Sequence, residues 1–236
     1  RVSLGFRRHT LDAELIPSVP RNPSEKRWYP AVEGFGEGIF IHFEAAELDR
    51  WAAQPTVIER IGHLGINQTH SLVGSRLPIA TPQYVLLHTF AHALMRELAF
   101  RSGYSAPSLR ERVYCEERGD YGVFIYTTSS DIEGTLGGLV RQGEAAYLDN
   151  AIIRAVEQLS WCPNDPVCSE SSPQSIDGLN LAACHACILA PETSCESYNL
   201  LLDRTLLVGS STVPGYFEGV IHRVLETAVR AEQETR

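Results

Sequence analysis

The sequence predicts a mixed α+β protein in which helices pack on a small β-sheet and a cysteine-rich insert lies between helices. Three observations point there. A long Leu- and Ala-rich stretch runs from Pro82, a residue suited to a first helical turn, to Ser102, and Gly103 ends it. Two β-rich segments, Arg110–Glu117 and Tyr121–Thr128, flank Arg118-Gly119-Asp120, which can turn a hairpin. Five of the six cysteines fall between Cys162 and Cys195, a stretch rich in Pro, Ser and Asn with little periodicity.

The remaining elements follow in chain order. Residues 1–80 read as strands and loops, broken by Pro17, Pro20, Pro23 and Pro30. Within them Gly38–Phe43 has strand character. Glu44–Ile61 has helical spacing, with Leu48, Trp51, Ala52 and Ile58 apolar, and Gly62–Pro82 reads as a connection. Residues 81–236 are expected to form the second part, with its insert at 161–196. A Gly-rich bend, Ser129–Gly138, precedes a helix from Glu144 to Trp161. Two helices are expected to close the chain, Glu196–Val208 and Gly215 to the end.

Composition bounds the function classes. At 236 residues, 44% hydrophobic and 21% charged, the chain has the make-up of a soluble globular domain. No apolar run approaches the ~20 residues of a membrane helix. The opening Arg-Val-Ser-Leu-Gly-Phe-Arg-Arg lacks the apolar region of a secretory signal, so the expected location is cytoplasmic. Met95 is the only methionine, and the chain reads as a piece of a longer polypeptide. Its 29 acidic and 20 basic side chains give a net charge of −9, poorly suited to holding a phosphate backbone unaided. Arg7, Arg8, Arg21, Lys26 and Arg27 are the one candidate basic strip.

Cys184-His-Ala-Cys187 is a C-x2-C pair, a spacing that turns two thiolates toward one ion; structural zinc takes four such ligands tetrahedrally. A second half-site can come from Cys168 and Cys195 or from Cys162 and Cys168, with His185 a weaker candidate. Disulfides compete as an explanation, but a chain of this length without a secretory signal is not a small stapled scaffold. A thioredoxin-like redox pair competes as well, yet three further cysteines would not crowd it. Zinc accounts for the clustering best. Cys115, in a strand, reads as a buried thiol.

His88 and His92 stand at i and i+4 on one helical face. The pattern approaches the zinc-protease helix H-E-x-x-H, but Thr89 replaces the glutamate that would act as general base. The expectation is a buried pair bonded to neighbouring protein groups, without metal. The Gly134–Gly138 loop lacks the Lys-Ser/Thr of a phosphate-binding loop. Asp131 fits a helix cap there, and with Glu133 offers an alternative cation site. The rival function is therefore a metal-dependent hydrolase or nuclease using His88, His92, Asp131 and Glu133.

Four stretches together resemble one family. They are His88-Thr-Phe-Ala-His92-Ala-Leu, the run Ser129–Val140, Trp161-Cys-Pro-Asn-Asp-Pro-Val-Cys168, and Leu179–Glu196 with its Cys-His-Ala-Cys. They are similar to the MrfA-type zinc-binding domain, in its DrmB-type version from the DISARM anti-phage system; Gly36–Ile41 also fits that type. The resemblance implies a four-cysteine zinc site in a non-catalytic scaffold, partnering a DrmA-like superfamily-two helicase on DNA in antiviral defence. No Walker motif is present, so ATP hydrolysis would belong to the partner. The expected zinc ligands are Cys168, Cys184, Cys187 and Cys195, with Cys162 in reserve.

Overall fold

A computed structural model describes residues 2–3, 5–6, 14–17, 28–31, 33–115, 119–127, 137–170 and 173–223. Asp131, Glu133 and the five basic residues of the N-terminal strip lie outside these, as does most of the expected last helix.

The centre of the fold is α3 (Pro82–Ser102). Its start is set by Thr81, whose hydroxyl accepts from the Tyr84 amide at 3.1 Å, and by Pro82 at the first position. Gly103, at φ 75°, ends it in the left-handed region that a residue without Cβ adopts freely. Every residue from Tyr84 to Met95 is buried, so this stretch of the helix has no solvent face and must be covered on all sides.

Three strands cover one side: β3 (Glu37–His42), β4 (Leu109–Cys115) and β5 (Tyr121–Thr127), antiparallel in the order β3-β5-β4. Registers such as Ile39↔Ile125 and Val113↔Val123 place apolar residues on a common face against α3. A small pair, β1 (Gly5–Phe6) and β2 (Ile16–Pro17), stands apart from this sheet.

Helices close the other sides. Glu44–Ile61 is not one helix but two, α1 (Ala45–Ala52) and the start of α2 (Pro55–His70), because Pro55 cannot continue the preceding turn. α2 also runs through Gly62 and Gly65 into the expected connection, since Ile61 and Leu64 bury its inner face. Then come α4 (Gly138–Gln142), α5 (Ala145–Glu157) and α6 (Val167–Glu170), followed by α7 (Thr205–Val208). The helix expected over Glu196–Val208 is reduced to α7, because Tyr198, Asn199 and Leu201 all adopt positive φ in a tight turn. Residues 218–223 are helical.

The hydrophobic core is continuous across residue 80: β3, α1 and α2 contribute Ile39, Leu48, Val57 and Leu64 to the same cluster as Leu87, Leu94 and Ile125. Among the described residues no helix is long and apolar enough to cross a membrane.

Candidate metal centre

Four thiols converge where the chain turns after α5. Cys162 follows a 3-10 turn at Gln158–Ser160, Cys168 sits in α6, and Cys184 and Cys187 belong to one tight turn. In that turn the Cys184 carbonyl accepts from the amides of Cys187, Ile188 and Leu189 at 3.2, 3.0 and 3.2 Å. Sulfur–sulfur separations are 3.5 Å for Cys162–Cys184, 3.6 Å for Cys184–Cys187 and 3.8 Å for Cys168–Cys187. All four sulfurs lie within 4.8 Å of one another. A zinc–sulfur bond of ~2.3 Å in tetrahedral geometry requires edges of about 3.8 Å. The four thiols therefore fit a zinc ion.

The surrounding groups shape this cage. The Cys184 amide donates to Cys187 Sγ at 3.3 Å, and Asn164 donates through its backbone to Cys162 Sγ and through its side chain to Cys184 Sγ, both at 3.4 Å. Such N–H groups stabilise sulfur as thiolate. Burial pushes the Cys168 thiol up to about 11 and raises Cys187 too. At Cys184 burial works in the same direction but is outweighed by the N–H donors and by Cys162, which hold it near 7. A dication would favour the thiolate form of all four. Asp165 fixes the loop between Cys162 and Cys168, accepting from the Cys162 amide at 2.9 Å and pairing with buried Arg204. Arg96, one turn beyond His92, donates to the carbonyls of Ala186 and Cys187 and ties the turn to α3.

The fourth thiol in the cage is Cys162, where the expected ligand set had Cys195. The sequence separates Cys195 from Cys187 by only a short segment, but Pro191 and a 3-10 turn at Glu192–Ser194 carry it away. Ser194 anchors that turn to the Ala106 carbonyl at 3.1 Å, which leaves Cys195 over α3 beside His88.

There a second cluster forms from His88, His92, Glu111 and Cys195, all buried, with their donor atoms within 4.8 Å of one another. Both imidazoles are bonded to neighbouring protein groups, as their place on α3 suggested. Burial opposes their protonation, but Glu111 outweighs it, lifting His92 to about 9 and His88 well above its usual value. Burial likewise raises the Cys195 thiol, and His88 overrides it to hold the thiol near 7. Glu111 was missed in the sequence. Its signal was there: alternation along β4 puts Leu109, Glu111 and Val113 on one face, a carboxylate between two core residues. Thr89 serves the fold; its hydroxyl donates to the Val85 carbonyl and accepts from the Asp203 amide.

Four thiols closed around one point, on turns braced by Arg96 of α3 and by Arg204, define a structural metal-binding domain. Residues 90–188 match the MrfA Zn-binding domain family. It is also similar to the DISARM protein DrmB of Bacillus paralicheniformis, with 40% identity over 202 residues, 83% of this chain. The match covers 36% of that protein's length, so the chain spans about a third of this relative. All four caged thiols fall inside the family match, whereas His88 and Cys195 fall outside it.

Proposed function

We propose that the chain is a non-catalytic, zinc-organised scaffold within a DrmB-like defence protein, partnering a DrmA-like superfamily-two helicase on DNA. The similarity over 83% of the chain to a protein named for DISARM carries this reading. The zinc would be held by Cys162, Cys168, Cys184 and Cys187. When bound, it cross-links the turn after α5 to the Cys184–Cys187 turn, which Arg96 fastens to the central helix. Site formation and local folding are then one process. Cytoplasmic location follows from the same reading, since a protein that acts on phage DNA works where that DNA enters.

The hydrolase alternative draws no support from the imidazole pair. His88 and His92 are each 0% exposed, and a hydrolytic metal keeps an open position for water and substrate.

The decisive experiment is co-expression of the complete protein with a DrmA-like helicase. A stable complex is expected, with phage protection lost when Cys184→Ser removes the zinc. A protein that protects without the helicase, or never associates with it, overturns the reading.

A further inference from the structure

The cluster of His88, His92, Glu111 and Cys195 has properties that its protein surroundings leave unexplained. His88 Nδ1 lies 3.3 Å from the Leu201 carbonyl and His92 Nδ1 lies 3.1 Å from the Ile188 carbonyl. A carbonyl only accepts, so each Nδ1 carries a proton and each ring turns its Nε2 inward. What meets the two Nε2 atoms is a set of further acceptors. Glu111 Oε1 lies 2.9 Å from His88 Nε2 and 3.4 Å from His92 Nε2, and Cys195 Sγ lies 3.1 Å from His88 Nε2.

Four electron-pair donors thus converge on one buried point. A proton on His88 Nε2 would satisfy one contact and still leave His92 Nε2 and Glu111 Oε2 with no hydrogen-bond partner. Orphaned polar atoms at such depth are costly. A divalent cation would engage both imidazoles, the carboxylate and the sulfur at once. One carboxylate and one thiolate would also neutralise its charge, which matters in a site this dry.

The loop after Cys195 is built toward the same end. The amides of Ser197 and Asn199 donate to Cys195 Sγ at 3.3 and 3.4 Å, the pattern seen at the four-cysteine cage. Tyr198, Asn199 and Leu201 achieve this at φ of 56°, 58° and 62°, a left-handed conformation that side chains with a Cβ resist. The same turn delivers the Leu201 carbonyl that fixes the His88 ring. Strain of this kind persists where the surroundings require it. Carbonyl acceptors on the far nitrogens of both rings are the usual outer support of metal-bound histidines.

We propose that His88, His92, Glu111 and Cys195 bind a second divalent ion of the zinc class, in a closed structural site. Mixed nitrogen, oxygen and sulfur donors suit zinc over magnesium or calcium. Closure sets the role: exposures are 0%, 0%, 2% and 7%, leaving no approach for a substrate. The site ties α3 and β4 to the chain after Cys195. It abuts the four-cysteine cage through one turn, in which Cys187 faces the cage and the Ile188 carbonyl holds His92.

Native mass spectrometry and elemental analysis of the purified full chain provide the test, with zinc X-ray absorption reading the ligands. The expected result is about two zinc ions per chain, with about five sulfur and three nitrogen or oxygen neighbours shared between them. Glu111→Gln, which keeps the side-chain shape, should reduce the count to about one and leave an all-sulfur shell. One zinc per chain with a purely sulfur shell in the unaltered protein overturns the proposal. So does a folded Glu111→Gln protein that still holds two.

Discussion

At the scale of single residues, two cysteines with similar surroundings in the sequence have different places in the fold. Cys162 and Cys195 flank the insert, and each could complete a site with Cys168, Cys184 and Cys187. The structure puts Cys162 3.5 Å from Cys184 and Cys195 3.1 Å from His88. Cys162→Ser should therefore abolish the all-sulfur signature of bound cobalt or zinc, whereas Cys195→Ser should preserve it. Cys115→Ser should change neither, because that thiol stands in β4 among core residues and apart from both clusters. Absorption spectra of cobalt-substituted proteins read all three. An intact all-sulfur spectrum in folded Cys162→Ser would remove Cys162 from the cage.

Among the elements, α4 shows how a buried carboxylate can position a helix. Glu37, facing inward from β3, accepts from the amides of Gly137, Leu139 and Val140 at 2.9, 3.1 and 2.9 Å, and from the Tyr104 hydroxyl. These are the free N–H groups at the start of the helix, where negative charge is favoured. Burial works against ionisation of Glu37, but Tyr104 and the three amides win and hold it below the ordinary value of 4.5. A carboxylate depressed in the folded state stabilises it fully above its unfolded value, and that contribution fades as pH falls through the lower folded value. Glu37→Gln should thus be less stable than the unaltered protein at neutral pH, by about 1–3 kcal/mol for the missing charged acceptor. The gap should narrow below pH 4.5. Urea unfolding at pH values from about 3 to about 7 checks it; a gap that widens in acid would refute this role for Glu37.

For the whole molecule, charge limits what the chain does alone. Its net charge of −9 opposes retention on a phosphate backbone, so the isolated chain should bind duplex DNA weakly at physiological salt. Arg7, Arg8, Arg21, Lys26 and Arg27 would add their share of the affinity only beside a partner that already holds the DNA. In the assembled complex, replacing them should flatten the dependence of log affinity on log salt, by about 0.9 for each phosphate no longer neutralised. A salt titration by fluorescence anisotropy measures both. Tight, steeply salt-dependent binding by the lone chain would instead make it a DNA-binding module in its own right.

Much of this architecture was legible in the residues themselves. Pro82 and Gly103 delimit α3; β-rich composition marks β3, β4 and β5; and the clustering of thiols announces a metal. These are local signals, set by backbone conformation and by spacing over a few residues. Helix ends around Pro55 and His70 were less legible, because tertiary burial of Ile61 and Leu64 outweighs the helix-weakening glycines between them. Only the tertiary structure sorted the donors. Cys195 leaves the other thiols because the turn at Glu192–Ser194 docks on Ala106, and Glu111 joins the histidines because β4 lies against α3. Which donors share a point in space depends on long-range packing, and spacing along the chain carries no term for it.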